Sequence, residues 1–455
     1  DAIDERGALL TELKTVICMA APMAAVTALQ YLLQVVSLMM VGHLGELPLS
    51  GASMAMSFAA VTGFSVLMGM TGGLETLCGQ AYGAGKFKKL GSYANAATVV
   101  SVAICIPISV MWLFTDKILV LIRQDKTISN AAREYALYLI PCLFPYGILQ
   151  ALTRFFQSQG LILQMLYISS VTFCIQLPLC WFMVFKIHLG FKGAALSLSL
   201  AYWVNAIFLY FYTRYSATCQ RSRCPFATDF LSSTKEFIKL GVPTAIMGCL
   251  EWWSYEVIIL LSGLLPNPKL ETSVISVCFS ISYLHYFVAY GIASISSTRV
   301  ANELGADNPA GAKLVTRVVM GMGLLEPLIV SVSLFASRHV VGHLFSSKEE
   351  VVGYVGDVIP YLCICIIMDS LQCVLTGIVK GSGWQRLGVY VNIGAYYFAG
   401  LPMAAVLAFV LHLRVKGLLI GLATGSFFQA FLLGFKTITT DWNHQASIAR
   451  ERMLK

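Results

Sequence analysis

Charged residues are scarce in this 455-residue sequence. Only 12% of the residues are Asp, Glu, Lys or Arg, whereas soluble domains average about 25%. Hydrophobic residues make up 57%, and the mean hydropathy is +0.75. A soluble protein of this composition would expose large apolar patches. Because a lipid bilayer would cover those patches, we expect an integral membrane protein.

Signatures of nucleotide binding and catalysis are also missing. The run Gly79–Lys86 resembles a P-loop, but Gln80 stands where the first glycine is required, and Phe87 follows the lysine. Neither HExxH nor GxSxG occurs. We therefore expect no enzyme activity, no metal site and no cofactor. Without a nucleotide site, the energy source of any work done across the membrane would be an ion gradient, most simply a proton gradient.

Clusters of basic residues are absent both from the apolar stretches and from any soluble segment. The net charge of +8 therefore does not indicate a nucleic-acid partner. A flippase for lipid-linked oligosaccharides would need a cationic cavity, and the sequence shows no basic cluster to line one. Instead, Lys and Arg concentrate in the terminal segments and in alternate loops, as at Lys86, Arg223 and Arg450. This bias predicts that both termini are cytoplasmic.

Twelve apolar stretches are long enough, at about 20 residues or more, to cross a bilayer as helices. A lipid-exposed backbone must satisfy its own hydrogen bonds, and the alternating segments of a β-barrel are not seen. The sequence therefore predicts an all-α integral membrane protein with twelve transmembrane helices. The predicted spans are 14–41, 50–79, 91–114, 131–153, 162–185, 193–213, 237–264, 272–298, 314–337, 351–379, 387–411 and 417–436.

The two halves of the sequence match at a nearly constant offset. The matching pairs are Pro22 with Pro243, Gly83-Ala84 with Gly305-Ala306, Gln159-Gly160 with Ser382-Gly383, Leu177-Pro178 with Leu401-Pro402, and Lys192-Gly193 with Lys416-Gly417. Six predicted helices in each half indicate two pseudo-symmetric six-helix bundles. We predict an N-lobe (1–213), a cytoplasmic linker loop (214–236) and a C-lobe (237–455). A complete pathway within one chain favours a monomeric transporter over an oligomeric channel.

Acidic residues inside the spans are few. A charge at mid-membrane costs about 2.5–3.5 kcal/mol on insertion scales, so each acid needs a reason. Glu256 and Asp369 lie near the middle of the seventh and tenth predicted helices. A carboxyl group in a poorly solvated cavity can bind a proton near neutral pH. We predict Glu256 and Asp369 as proton-coupling residues, with hydrogen-bonded helix contacts as the structural alternative.

Aromatic side chains accompany these acids in the sequence. Aromatic faces beside carboxylates suit flat, hydrophobic and often cationic ligands, although core packing is the alternative for any single ring. We expect His285 to be a hydrogen-bonded packing residue. We expect Glu326, which precedes Pro327, to cap a kinked helix or to satisfy a freed backbone group. The predicted substrate-cavity residues are Glu251, Trp252, Trp253, Tyr255, Tyr283, Asn392 and Tyr396.

Four runs of the sequence resemble motifs of one transporter family. They are Met40–Gly45, Leu74–Ala84, Ser297–Ala306 with the following Asn308-Pro309, and Val379–Gln385. Over nearly its whole length the chain is similar to the multidrug and toxic compound extrusion (MATE) family, in its plant detoxification-efflux branch. The predicted motif residues that support conformational change are Glu75, Gln80, Pro22 and Pro243.

The resemblance implies cation-coupled antiport by two lobes that alternate between inward-open and outward-open states. Many prokaryotic members carry a first-helix aspartate where this sequence has Ser37, whereas eukaryotic members are thought to use acids of the second lobe. We expect an exporter of small organic compounds, such as alkaloid- or flavonoid-like xenobiotics, in exchange for protons. Its membrane would be the plasma membrane or the vacuolar membrane. The alternatives are a lipid-linked substrate flippase of the same superfamily and a Na⁺-coupled exporter.

Overall fold

The computed structural model describes residues 2–225, 229–345 and 348–454. Within these ranges the chain is helical and contains no strand. The predicted all-α membrane fold with twelve spans is confirmed for the described residues. The twelve spans are α1 Arg6–Gly42, α2 Glu46–Gly83, α3 Phe87–Leu113, α4 Lys126–Ser158, α5 Ile162–Lys186, α6 Phe191–Tyr215, α7 Phe230–Ser262, α8 Pro268–Gly305, α9 Pro309–Ala336, α10 Glu349–Ser382, α11 Gln385–Val410 and α12 Arg414–Ile438. A shorter helix, α13 Trp442–Leu454, follows.

Most helices are longer than the apolar stretches that predicted them, because polar turns continue the helix beyond the apolar segment. Helix α8 ends at Gly305, where the apolar stretch ends near residue 298. Local capping sets several helix starts. At α4 the Asp125 carboxylate accepts hydrogen bonds from the backbone N–H groups of Thr127 and Ile128, at 2.8 and 3.1 Å. Such caps satisfy N–H groups that have no partner within the helix.

The chain divides into two compact units, Asp1–Ala24 with Ile246–Lys455 and Ala25–Ala245. Both boundaries lie inside a helix, two residues after Pro22 in α1 and two residues after Pro243 in α7. The sequence predicted a different division, with the two lobes separated at the loop 214–236. In the structure, the first part of α1 groups with the second half of the chain, and the first part of α7 groups with the first half.

Small residues explain this exchange of helix ends. A Cβ on Gly291 of α8 would lie 2.7 Å from the Ala20 carbonyl oxygen and 3.0 Å from the Ala24 Cβ, both in α1. In the other unit, a Cβ on Gly69 of α2 would lie 2.6 Å from the Ala245 Cα in α7. Glycine and alanine let membrane helices approach closely enough for backbone contact. The two crossings occupy equivalent positions of the sequence repeat.

A buried ion pair holds α2 against α4. Arg154 Nη1 lies 3.1 Å from Glu75 Oε1, and the two side chains are 1% and 2% exposed. Arg154 Nη1 also donates a hydrogen bond to Gln157 Oε1 at 2.8 Å. Gln80, five residues beyond Glu75 on the same helix, is likewise fully buried. Two of the predicted motif residues, Glu75 and Gln80, therefore lie in the packed interior of this unit.

Arg154→Gln should destabilise the protein by about 3–5 kcal/mol, because it leaves the Glu75 carboxylate buried without its cation. Arg133→Gln is the matched control, since Arg133 pairs with Asp116 at 3.4 Å with 48% of its side chain exposed. Loss of an exposed pair should cost about 0–1 kcal/mol. Thermal unfolding in detergent, followed by fluorescence-detected size exclusion, measures both. Equal melting temperatures for the two variants would show that the buried pair does not stabilise the fold.

Candidate functional site: an acidic aromatic cavity

Helices α7, α8 and α10 enclose a cavity of about 220 Å³ in the unit that contains Ile246–Lys455. Its wall combines acidic, aromatic and small polar side chains. The lining residues are Glu251, Trp252, Tyr255, Glu256, Ile259, Phe279, Ser282, Tyr283, His285, Tyr286, Ala289, Ile366, Asp369, Ser370 and Gln372. This described lining contains three carboxyl groups and no Lys or Arg. The site is therefore suited to cationic ligands and to protons.

Asp369 is held by two hydroxyl groups. The Tyr255 hydroxyl of α7 donates to Asp369 Oδ2 at 2.8 Å, and Ser426 Oγ of α12 donates to Asp369 Oδ1 at 2.5 Å. A hydroxyl can donate to a carboxylate and can also accept from a carboxylic acid. The same partners can therefore hold Asp369 in position in both protonation states, while linking α7, α10 and α12.

Glu251 is held by an amide instead. Gln372 Nε2 donates to Glu251 Oε1 at 2.9 Å. Gln372 Oε1 in turn accepts from Thr376 Oγ1 at 3.4 Å, and Thr376 Oγ1 accepts from Gln429 Nε2 at 3.4 Å. Gln372 lies one helical turn after Asp369 on α10. Glu251 and Asp369 are thus both anchored through the same stretch of α10.

Glu256 lines the same cavity but has no side-chain hydrogen bond to any described residue. It lies five residues after Glu251, about 140° further around α7. The contacts of the described residues therefore give Glu251, and not Glu256, a hydrogen-bond partner on α10, the helix that carries Asp369. The assignment of proton coupling to Glu256 stays a prediction, and the geometry adds Glu251 as the stronger candidate.

An aromatic cluster forms part of the cavity wall. The ring centroid of Trp252 lies 6.2 Å from that of Tyr283 and 5.9 Å from that of Tyr286, both with edge-on geometry. The Tyr283 and Tyr286 rings stack at 5.9 Å. These distances are typical of favourable aromatic pairs. The same lining therefore contains aromatic rings and carboxyl groups, which suits a flat organic cation.

Comparison with known proteins identifies the family. The MatE family model matches residues 22–182 and 243–406. The chain belongs to the MatE family of transporters. The two matched segments begin at Pro22 and Pro243, one of the residue pairs that revealed the internal repeat. The family resemblance seen in the sequence motifs is therefore confirmed.

Plant proteins of this family are similar over nearly the full length. Protein DETOXIFICATION 10 of Arabidopsis thaliana is 49% identical, covering 98% of this chain and 92% of that protein. Protein DETOXIFICATION 12 of the same organism is 48% identical, with 98% and 93% covered. The crystal structure of the eukaryotic MATE transporter AtDTX14 has a TM-score of 0.93 at 46% identity, covering 98% of this chain and 99% of that chain. A point mutant of the Vibrio cholerae MATE transporter VcmN shares the fold, with a TM-score of 0.88 at 16% identity and 96% and 100% covered.

Three predicted cavity residues of this MATE transporter lie outside the described cavity lining. Trp253 follows Trp252 by about 100° of helix rotation and is 41% exposed on another face of α7. Asn392 is buried and donates from Nδ2 to the Met247 carbonyl oxygen at 2.9 Å. Tyr396 is buried behind Asp369, with its hydroxyl 3.4 Å from Ser426 Oγ. The latter two pack helices together around the site.

Two residues that contact the central acids, Gln372 and Ser426, were not predicted from the sequence. Gln372 had a usable signal, because residues three apart on a helix share a face and Gln372 follows Asp369 at that spacing. Ser426 had no comparable signal. Hydroxyl side chains are common in membrane helices, where most bond their own backbone. Only the packing of α12 against α10 shows that this serine meets a carboxylate.

We expect Glu251→Gln to abolish gradient-driven transport, because glutamine can keep the contact with Gln372 but cannot release a proton. Glu256→Gln is the matched comparison on the same helix and should retain transport. Uptake of a fluorescent organic cation into proteoliposomes under an imposed pH gradient measures both variants. The opposite result, with transport lost only in Glu256→Gln, would support the assignment made from the sequence and reject the one made from the contacts.

Proposed function

We propose that this MATE transporter exports small organic compounds, chiefly flat aromatic cations, in exchange for protons. The observation that carries the proposal is the pair Glu251 and Asp369 in a cavity whose described lining has an aromatic wall and no Lys or Arg. We place both termini in the cytoplasm and the transporter in the plasma membrane or the vacuolar membrane. It needs no cofactor and functions as a monomer surrounded by lipid.

Competition between a proton and an organic cation would couple the two fluxes. When Glu251 and Asp369 are ionised, an aromatic cation in the cavity gains Coulombic attraction and contact with the faces of Trp252 and Tyr283. When the carboxyl groups are protonated, that attraction is lost and the cation leaves. Protonation from the outside or lumenal face therefore releases substrate, and deprotonation toward the cytoplasm restores the binding form.

The free energy of the proton gradient is large enough to move substrate against a concentration gradient. Each proton that moves down the membrane potential supplies about 2.3 kcal/mol per 100 mV. A pH difference of one unit adds about 1.4 kcal/mol per proton. Because a tenfold concentration ratio corresponds to about 1.4 kcal/mol, one proton at 100 mV balances more than a tenfold gradient of a neutral substrate. A cationic substrate moves its charge against the membrane potential. The number of protons exchanged per substrate therefore determines whether export is favourable.

Two alternatives use the same cavity differently. Sodium could bind the carboxylates of Glu251 and Asp369 in place of protons, since hard cations prefer oxygen ligands. A flippase for lipid-linked substrates would need basic groups for the pyrophosphate, and the described lining has no Lys or Arg. The DETOXIFICATION names of the Arabidopsis relatives also support efflux of organic compounds. We therefore prefer proton-coupled export.

Transport in proteoliposomes should follow the pH gradient, stop on addition of a protonophore, and be unaffected when Na⁺ is replaced by K⁺. Asp369→Asn should bind the fluorescent cation weakly and should not accumulate it against a gradient. Empty vesicles under the same gradient control for passive leakage. A strict requirement for Na⁺ would replace the proton by sodium while leaving the carboxylate site intact. Full accumulation by Asp369→Asn would reject the carboxylate mechanism itself.

A further inference from the structure

A histidine–carboxylate pair lies beside the cavity and has no part in the mechanism above. His285 Nε2 of α8 lies 3.0 Å from Glu326 Oε2 and 3.1 Å from Glu326 Oε1, both on α9. The nitrogen is thus nearly equidistant from the two oxygens. This geometry fits an N–H group directed at a carboxylate. The sequence predicted a hydrogen-bonded packing role for His285, and Glu326 is the partner in this hydrogen bond.

Glu326 lies on a helix with a largely apolar outer face. Its neighbours Leu325, Leu328 and Ile329 are exposed, as side chains that face lipid are, while the Glu326 side chain is 24% exposed. An unpaired carboxylate in such surroundings would be costly. The described partner of Glu326 is the His285 ring. The two groups hold one proton between them, and either group would be unfavourable in this environment if it were charged alone.

The second ring nitrogen of His285, Nδ1, is the atom that remains for another proton. His285 is part of the lining, and its Nδ1 atom has no hydrogen-bond partner among the described residues. The hydrogen bond made by one ring nitrogen fixes the state of the other. With the proton on Nε2 and directed at Glu326, Nδ1 carries a lone pair that can take a second proton.

Charged and titratable groups surround this ring on every helix that packs against it. Together they form an acidic environment in which one added positive charge is tolerated. They are Glu326 from α9, Glu251, Tyr255 and Glu256 from α7, Asp369 from α10, and Tyr283 and Tyr286 from α8 itself. An imidazolium at His285 would be neutralised by Glu326 and would face the same space that receives the cation.

We infer that His285, supported by Glu326, is a second proton-binding site of the cavity, separate from Glu251 and Asp369. Nδ1 takes a proton from cavity water when the cavity is empty, and the resulting imidazolium is held by Glu326. An incoming organic cation repels this charge, and the proton returns to water. The inference rests on the proposed exchange of cations for protons and increases the number of protons that each cation displaces.

Proton release on ligand binding tests the inference directly. The full-length protein in detergent and weak buffer is titrated with tetraphenylphosphonium, an aromatic cation that cannot itself titrate, between about pH 5 and 8, the range of histidine titration. A pH-indicator dye counts the protons released per bound cation. His285→Gln and Glu326→Gln should each release fewer protons than the wild type, by up to one per cation, and only in the acidic part of the range.

The control is His343→Gln, an exposed histidine outside the cavity lining, which should behave as wild type. If either His285→Gln or Glu326→Gln binds the cation and releases as many protons as the wild type, the inference is overturned. Loss of cation binding in both folded variants would also overturn it, because the pair would then belong to the cation site. If His285→Gln fails to fold, the partly exposed Glu326→Gln carries the test alone.

The proposed function fails in a different way. If wild-type protein binds tetraphenylphosphonium and releases no proton at any pH, proton exchange itself is rejected. If wild type and Asp369→Asn release different numbers of protons while the two pair variants match wild type, proton exchange stands and only the role of His285 and Glu326 is rejected. The two sets of variants therefore give separate answers.

Discussion

An ionised side chain near the middle of a bilayer costs about 2.5–3.5 kcal/mol on insertion scales, and this cost explains the polar contacts between the helices of this transporter. Arg154 lies against Glu75 where both are almost completely buried. Asp369 receives two hydroxyl groups and Glu251 receives an amide. Each of these three acids, Glu75, Asp369 and Glu251, thus has a partner on a neighbouring helix, so their positions and the packing of the helices depend on each other.

The partners of these acids differ in kind. Glu75 faces a guanidinium group, which remains charged at every accessible pH, so that pair serves packing. Asp369 and Glu251 have neutral partners that tolerate gain or loss of a proton. A carboxyl group with neutral partners at the wall of a cavity can respond to a ligand or to pH. In this family member, such groups occur where aromatic rings complete the same cavity.

Close helix crossings allow this arrangement. Glycine at positions 69 and 291 brings backbones of different helices into contact, so the ends of α1 and α7 pack with the opposite half of the chain. The two crossings repeat at equivalent positions, as the two matched MatE segments do. The repeat therefore extends from the sequence to individual packing contacts. It does not extend to the acidic cavity, because Glu251 and Asp369 belong to the second half alone.

The sequence by itself determined the membrane class, the twelve spans, the repeat and the acidic character of the second half. Bilayer thickness and the cost of charge act on composition and length, which a single sequence shows directly. The sequence alone could not show that Glu251 has a hydrogen-bond partner on α10 while Glu256 lines the same cavity without one, because that difference depends on how α7 packs against α10. The contributions of Gln372 and Ser426, and the pairing of His285 with Glu326, likewise depend on neighbouring helices. Tertiary structure alone decided them, since hydrogen bonds between helices join residues far apart in the chain.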